Sequence, residues 1–584
     1  MLFLLATTRI AAAPAALPCA SCHKEIAATF AQTAMANTWQ NRSTSWLPTS
    51  FHASISDDLP YQLARTPASF TYSFESPARS KLSLPVDILM GGRRHGLGFL
   101  APIKELDGIP LARPALVQAR YAWSFDRKKL LLAPGCSAGR PQNLESALGV
   151  VLSPTFEERC LRCHGQSTGV SCQSCHGEGS GHRVVNPKKL SAEDSIGVCA
   201  QCHVGLTRFS DPSPSDLLVA NQVRAIESSE CFIQSGKAFS CTACHDPHKD
   251  STDDSLAVRA CLGCHSQSVQ KHAAICPVNA VNGCVGCHMP SVEMGPLHLV
   301  DHVIRVHPEQ KVSANGHRPE LQTQVQPISA YLRMIVTNTA AEADQARQRV
   351  ASGESFYKVA REMSSDRSAS IGGYLGRKSV VETMPLHYGE VSLVLPRAGK
   401  YAIFQRLPRD FRYDAEQLQS EAEELARQGD AAAAIAKAQE ALMIYPQLLR
   451  ALTFIGMTFA QGGNLRKGAD VLTTAVHLYP QDAGAEFARS SVLGALNETA
   501  EASEAYKRVI ALEPDFTAAY LNLGTIQSSA GDLQSAIATF RQGLQIDPLS
   551  ADLYEALGQA LERAGNASEA DQAKRLAIKI GINR

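Results

Sequence analysis

Seven copies of one short pattern carry the chemistry of this chain. Cys-x-x-Cys-His occurs at Cys19/Cys22/His23, Cys160/Cys163/His164, Cys172/Cys175/His176, Cys199/Cys202/His203, Cys241/Cys244/His245, Cys261/Cys264/His265 and Cys284/Cys287/His288. The pattern is that of covalent haem attachment: two thiols add across the vinyl groups of the porphyrin, and the adjacent imidazole is placed to bind the iron from one side. Seven copies use 14 of the 17 cysteines. Zinc ribbons also use paired cysteines but do not need a histidine directly after the second one each time. A thioredoxin-like redox pair would occur once, beside a βαβ pattern. The repeated histidine favours haem c over both, with seven covalent haems expected.

An iron held on one side needs a second axial ligand, and the histidines outside the motifs are the candidates. His182 follows the glycine-rich run 177–181, His248 follows His245-Asp246-Pro247, and His298, His302 and His307 crowd the end of the motif region. His52 and His95 stand upstream, the latter in the turn Gly91-Gly92-Arg93-Arg94-His95-Gly96, where glycine lets backbone approach a flat cofactor. Met35 is a further candidate, because a thioether can be an axial ligand. The bland alternatives are a helix-packing methionine and loop histidines. Three cysteines remain. Cys231 and Cys276 both lie in the motif region and are the disulfide candidate, which leaves Cys136 as the odd one.

The elements that must position these residues fall into blocks. Chain length, 584 residues, allows three or four domains. The formal net charge is zero, so no bulk field points to nucleic acid or an acidic membrane surface. Hydrophobic content of 45% excludes a disordered chain, and the low aromatic content of 6% suits a protein whose porphyrins supply apolar area. Residues 1–18 read as a partial signal-like segment. Leu2–Ala6 is a short apolar run and small residues follow, but a full signal also needs a positive start and a longer apolar core, so a clipped start is expected. No run reaches the roughly 18 apolar residues of a membrane span. Haem attachment and leftover cysteines together imply a periplasmic or otherwise extracytoplasmic place.

Residues 19–310 form the expected seven-haem domain, with a helix-like stretch at Ile26–Thr38. Inside it, residues 48–135 form a strand-rich insert with strands expected at Ser69–Glu75, Leu82–Leu89 and Arg120–Phe125. From Cys160 onward, successive motifs begin 12 to 42 residues apart (160 to 172; 199 to 241). Segments that short cannot bury a core of their own, so the haems must pack on one another. Closely packed haems make an electron wire.

The segments Cys172-Gln-Ser-Cys-His176-Gly-Glu-Gly-Ser-Gly-His182, Cys241-Thr-Ala-Cys-His245-Asp-Pro-His248, Cys284-Val-Gly-Cys-His288-Met-Pro290 and Asp301-His302-Val-Ile-Arg305-Val-His307 resemble the multihaem cytochrome c family. That family is related to the tetrahaem cytochromes linked to hydroxylamine oxidation. The likeness is narrower to its large bacterial members with C-terminal tetratricopeptide repeats. It implies electron transfer between redox partners through haems ligated by two histidines, some members carrying a five-coordinate haem. It also implies that His52, His95, His182, His248 and His302 are distal ligands, without saying which iron each serves.

Residues 311–327 read as a linker. Residues 328–408 read as a small α+β domain, with strands at Ala330–Val336, Val391–Leu395 and Tyr401–Phe404 and helices at Ala340–Val350 and Phe356–Met363. The run from Phe356-Tyr-Lys-Val-Ala360 through Gly372-Gly-Tyr-Leu-Gly376 to Gly399-Lys-Tyr-Ala-Ile403 resembles the parvulin-type peptidyl-prolyl isomerases. The resemblance implies a parvulin-like scaffold, expected to lack isomerase activity because Arg333 and Ala402 stand where parvulins place histidines.

Residues 415–584 repeat with a 34-residue period: Pro446, Pro480, Pro514 and Pro548; Gly429, Gly463, Gly531 and Gly565, with Asn497 in the slot between; Gly456, Ser490, Gly524 and Gly558; and Ala434, Gly468, Ala502, Ala536 and Ala570. This is the period of five tetratricopeptide repeats, each two helices packed closely at small residues and stopped by proline. The last helix, Ser568–Ile580, is polar enough to cap the stack. The expected whole is therefore multidomain: a haem-packed, mostly irregular and helical domain, a parvulin-like α+β domain and an all-α repeat solenoid.

Three functions fit. The favoured one is electron transfer through packed haems, with the repeat array docking a protein or peptide. A haem enzyme acting on a small nitrogen compound at a five-coordinate iron is open while some iron lacks a distal ligand. A parvulin-like folding factor is the third.

Overall fold

The structure, a computed structural model, describes residues 23–33, 35–37, 39–41, 51–56, 60–66, 69–75, 81–92, 96–137, 139–154, 170–177, 185–203, 222–229, 231–232, 240–250, 254–265, 283–294, 297–304, 329–379, 386, 389–408 and 411–581. They form two compact units. One comprises residues 1–207, 214–312 and 531–584, the other residues 208–213 and 313–530.

The first unit opens with helix α1 (Lys24–Phe30), shorter than the helix expected over Ile26–Thr38; the chain then turns and makes a single 3-10 turn at Met35–Asn37. Antiparallel strands follow: β1 (Trp39–Asn41), β2 (Phe51–Ser56), β3 (Pro60–Arg65), β4 (Phe70–Glu75), β5 (Lys81–Pro85), β6 (Ile88–Gly92), β7 (Gly96–Leu106), β8 (Ile109–Ala119), β9 (Tyr121–Ser124) and β10 (Lys129–Leu132). After helix α2 (Leu144–Leu148) comes β11 (Gly149–Leu152). The single strand expected over Leu82–Leu89 is two, split at Val86-Asp87 between β5 and β6, which join different sheets. One sheet is the meander β2-β3-β4-β5; the other runs β1-β6-β7-β8-β11, with β9 paired to β7 and β10.

Period-two alternation sets the faces. Tyr61 and Leu63 on β3 and Phe70, Tyr72 and Phe74 on β4 are buried, and the residues between them are not. Tyr61 lies opposite Phe74 in register, ring centroids 5.3 Å apart, and its hydroxyl donates to the Ala147 carbonyl at 3.0 Å. Buried Arg120 ties the loops down by donating to the carbonyls of Ser146, Ser137 and Gly139 at 2.7–2.9 Å. Asp107 and Gly108 join β7 to β8 with positive φ at both positions, the geometry of a two-residue hairpin turn.

Short helices carry the motifs beyond residue 170: α3 (Cys172–His176), α4 (Ala192–His203), α5 (Gln222–Ser228), α6 (Ser255–His265) and α7 (Cys284–His288), then the hairpin β12 (Ser291–Met294) and β13 (Leu297–Val300). Among the described residues of 170–304, the buried apolar side chains are Ile196, Val223, Ala225 and Phe232.

In the second unit the sheet runs β15-β14-β17-β16, from β14 (Ser329–Thr337), β15 (Tyr374–Ser379), β16 (Leu395–Arg397) and β17 (Lys400–Arg406). Helices α8 (Ala340–Ala351) and α9 (Phe356–Met363) cover it through Ile335, Ala343, Ala346, Phe356, Val359, Ala360 and Ile403. A reciprocal Thr339–Glu342 capping box starts α8. The strand expected at Val391–Leu395 is displaced: Val391 makes an isolated bridge to Gln405, and the strand begins at Leu395. Helix pairs follow: α10 (Phe411–Arg427) with α11 (Ala431–Ile444), α12 (Leu449–Gln461) with α13 (Leu465–Leu478), and α14 (Ala483–Ala495) with α15 (Thr499–Leu512). Helix α16 (Thr517–Ser529) ends this unit. Tyr374 and Leu407 share one core with Phe411, Ala415, Ala441, Tyr445 and Leu448, so the α+β domain and the first helix pair are continuous.

The remaining helices, α17 (Leu533–Ile546), α18 (Ala551–Arg563) and α19 (Ala567–Ile580), belong to the first unit. Turns within the helix pairs hold Gly429, Gly463, Gly531 and Gly565 at φ between 84° and 88°, and Asn497 at 61°, the conformation that favours glycine or asparagine. The small residues are close-approach points: a Cβ at Gly456 would meet Leu472 Cγ at 2.6 Å, and one at Gly468 would meet the Gly456 carbonyl at 2.7 Å.

Candidate functional site

Five of the seven Cys-x-x-Cys-His motifs lie among the described residues, and the fold gathers them. Cys172–His176 and Cys284–His288 are each one helical turn, while Cys199–His203 and Cys261–His265 close α4 and α6. Cys241–Ala243 is a 3-10 turn. Cys199 donates to the sulfur of Cys241, which pushes the Cys199 thiol up and brings Cys241 down to about 7. Cys175 and Cys202 add charge at Cys199. Burial raises the Cys261 thiol to about 12, helped by Cys284, Cys244 and Cys231. Thiols of five motifs are thus one another's electrostatic neighbours.

Cys172, Cys175, Cys199, Cys202, Cys241, Cys244, Cys261 and Cys284 are half-buried, and Cys287 is exposed. The reason is local. Helix α7 is a single turn with none of its residues buried. Cys284 at its start has the Cys261 thiol as a neighbour, whereas Cys287, near its end, gets no such cover from the fold.

Four imidazoles are held in one way, through Nδ1. His176 Nδ1 lies 2.7 Å from the Val185 carbonyl, His302 Nδ1 2.8 Å from the Val300 carbonyl and His203 Nδ1 3.1 Å from Gln222 Oε1. His248 Nδ1 is 3.4 Å from Asp246 Oδ1. Anchoring one ring nitrogen fixes tautomer and orientation and leaves Nε2 as the ligating atom, the usual arrangement at metal-binding histidines. Loss of water around His245, and then neighbouring His203, lowers its pKa; loss of water does the same at His302, against the Val300 carbonyl, with His245 adding a smaller push. Neutral imidazole is the form that binds a metal.

These residues fit porphyrin iron. The motif helices α3 and α7 bury none of their residues, and the four buried apolar side chains among the described residues of this region are far too few for a core. Among the described residues no three His, Cys, Asp or Glu converge as the donor set of a bare metal ion. A haem iron takes two side-chain ligands from opposite faces and makes no such cluster.

The structure brings His248 and His302, both expected as distal ligands, beside His176 and His245. His52 lies on β2 and His298 on β13, paired to Glu293; Cys264 lies on α6. His23 is an exposed residue at the start of α1. Met35 opens the 3-10 turn, its carbonyl accepting from the Val170 amide at 3.3 Å. Cys19, Cys22, Cys160, Cys163, His164, His95, His182, His307 and Cys276 lie outside the described residues, so the Cys231–Cys276 pairing is left as an expectation. Cys231 Sγ is 3.9 Å from His265 Nε2, a proximity no sequence signal announced.

Arg333, noted as a departure from the parvulin pattern, has a position of its own. It is 3% exposed and donates to the carbonyls of Gly372 at 2.8 Å and of Met443 and Ile444 at 2.7 and 2.5 Å, the last being the C-terminal end of α11. Arg113 does the same at the end of α17, donating to Gln545 and Ile546 carbonyls at 2.6 and 3.1 Å. Nearby, the Ala112 amide donates to the Tyr554 hydroxyl at 3.0 Å, and Lys579 pairs with Asp107. The last helix pair is therefore partly covered by β8 and its hairpin.

A second concave feature lies on the first helices of the array. A cleft of about 440 Å³ between α10 and α12 is lined by Glu423, Arg450, Thr453, Phe454, Met457 and Gln461, among others.

A tetratricopeptide-repeat family model matches residues 487–551 and 529–581. The chain is 28% identical over 130 residues to tetratricopeptide repeat protein 33 of Xenopus laevis, covering 22% of this chain and 50% of that protein. It is 29% identical over 99 residues to Hsp70-Hsp90 organizing protein 1 of Glycine max, covering 17% of each. The chain thus spans half the length of the first relative and about a sixth of the second. Among solved structures it is similar to MamA, with 26% identity, TM-score 0.26, 27% of this chain and 92% of that one. It is also similar to YrrB, described as a TPR protein with an unusual peptide-binding site, with 19% identity, TM-score 0.26, 30% of this chain and 93% of that one. The helix pairs, their period and the family match make the C-terminal region of this chain a tetratricopeptide-repeat array.

Proposed function

We propose that the chain is an extracytoplasmic multihaem c-type cytochrome that transfers electrons between redox partners, with the repeat array as its protein-docking surface. The observation that carries this reading is the motif region itself: the thiols of five Cys-x-x-Cys-His segments are electrostatic neighbours, with Cys199 hydrogen-bonded to Cys241, in a stretch with four buried apolar side chains among its described residues. Covalent porphyrins supply the missing apolar area and, when bound, one-electron chemistry. Cys172/Cys175, Cys199/Cys202, Cys241/Cys244, Cys261/Cys264 and Cys284/Cys287 would hold them by thioether bonds, with Cys19/Cys22 and Cys160/Cys163 completing seven. His23, His164, His176, His203, His245, His265 and His288 would take the irons. Carbonyl, amide and carboxylate groups beside Nδ1 orient the imidazoles of His176, His203, His248 and His302.

The parvulin-like segment serves in this reading as a scaffold. Its Arg333 is committed to the carbonyls at the end of α11, so it joins domains instead of meeting a prolyl substrate.

Intact mass spectrometry of the exported protein tests the reading. Seven added porphyrin masses are expected. A chain with none, or one that binds zinc stoichiometrically through the motif thiols, overturns it.

A further inference from the structure

Two pairs of imidazoles in the motif region stand in an arrangement that direct ring contact does not explain. His176 and His248 have centroids 6.0 Å apart with planes 9° from parallel; His245 and His302 are 6.1 Å apart at 28°. Face contact would bring carbon atoms to about 3.5–4.0 Å, and edge-to-face pairs turn the planes toward perpendicular. Two imidazoles on opposite sides of one metal have a fixed span: nitrogen–metal bonds of about 2 Å each, plus about 1 Å from each nitrogen to its ring centre, give roughly 6 Å. In three of the four rings Nδ1 has an acceptor close by: the Val185 carbonyl for His176, Asp246 for His248 and the Val300 carbonyl for His302. That leaves Nε2 to ligate. In each pair one member belongs to a motif and the other does not.

We infer that His248 is the second axial ligand of the iron anchored by Cys172, Cys175 and His176, and that His302 is the second axial ligand of the iron anchored by Cys241, Cys244 and His245. The inference rests on the haem reading above and adds a wiring order to it. The loop His245-Asp246-Pro247-His248 then grips two irons at once, its own through His245 and the neighbour's through His248. The haems of Cys172–His176 and Cys241–His245 are thereby adjacent stations in the chain, and neither iron has a position open to a substrate.

The test uses the full exported, haem-loaded chain and its His248→Ala and His302→Ala variants, read by intact mass, electron paramagnetic resonance and carbon monoxide binding after reduction. Each variant is expected to keep the wild-type porphyrin mass, to convert one low-spin haem to high spin and to bind one carbon monoxide. The double variant should bind two, and added imidazole should restore low spin. In a Cys172→Ala/Cys175→Ala background, His248→Ala should create no further high-spin iron; one more would place His248 on another iron and overturn the assignment. Full porphyrin mass with every haem low-spin and blind to carbon monoxide in His248→Ala overturns the pairing alone, whereas absent porphyrin in the wild-type chain overturns the haem reading itself. His248→Met covers poor export of the truncated variants: it should stay low-spin with one potential raised, and unchanged potentials count against the pair.

Discussion

Arg333 shows how one residue can look like a lost catalytic group and be a structural one. Its guanidinium is buried among Gly372, Met443 and Ile444 carbonyls and lies over the rings of Tyr357 and Tyr374 at 5.6 and 5.9 Å. Burial pulls its pKa down to about 10, so it stays charged at neutral pH. A cation at the negative end of α11 meets carbonyls that lack intrahelical partners. Replacing Arg333 by Ala should cost about 2–4 kcal/mol, because three buried carbonyls lose a charged donor. Arg333→Lys should recover only part, since one ammonium does not reproduce the planar fork. Urea denaturation of the full chain followed by helical signal measures both; an alanine variant within about 0.5 kcal/mol of the parent would contradict the capping role.

At the scale of elements, the small residues of the repeats set how near two helices come. A methyl group at Gly456 would press on Leu472 of the facing helix, so Gly456→Ala should destabilise the array by about 1–3 kcal/mol despite its better helix propensity. Thermal unfolding followed at the helical band reads the loss, and an unchanged or raised midpoint would show that α12 and α13 have slack. The seam between α2 and the last repeats carries a pH dependence. Burial, then Asp547 and Asp552, hold the Glu145 carboxyl up to about 7. Folded protein therefore keeps a proton there that the unfolded chain releases near its ordinary value of 4.5. Between those two values the native state binds the extra proton, so the seam's stability is greatest at low pH and declines as pH rises toward 7, by up to about 3 kcal/mol. Hydrogen exchange at the Ala112 amide, which donates to Tyr554, should quicken over that window, and Glu145→Gln should flatten the response. A slope identical in the two proteins would remove Glu145 as its source.

The whole molecule combines regions that fold on different terms. The repeats bury alanine and leucine at nearly every contact of facing helices and form their core from side chains alone. Among its described residues the motif region has no comparable store of buried apolar side chains. On the haem reading proposed above, chain made without haem attachment should therefore keep the circular dichroism of the repeat array while residues 170–304 become quickly cleaved by protease. Equal protease resistance with and without haem would mean that this region folds on its own side chains.

The sequence by itself determined the features that recur at fixed spacing. The spacing of the motif cysteines and histidines is local to five residues of chain, and the 34-residue phase is set by helix length and turn geometry; neither needs a distant partner to be recognised. The strand that carries Phe70, Tyr72 and Phe74 was legible within Ser69–Glu75, although its partner Pro60–Arg65 and the break at Val86-Asp87 were not, because they depend on which strands join which sheet. Tertiary structure decided which residues meet. The pattern makes Cys284 and Cys287 equivalent, and only the packing around α7 leaves one half-buried and the other exposed. His248 stands by His176 and His302 by His245, across 72 and 57 positions (248 − 176; 302 − 245), and no local pattern encodes such pairings. Arg113 and Arg333 reach carbonyls hundreds and more than one hundred residues away, where only the folded backbone gathers a helix end with its cation. Spacing fixes what a residue can do; the close packing of segments remote in the chain fixes what it does it to.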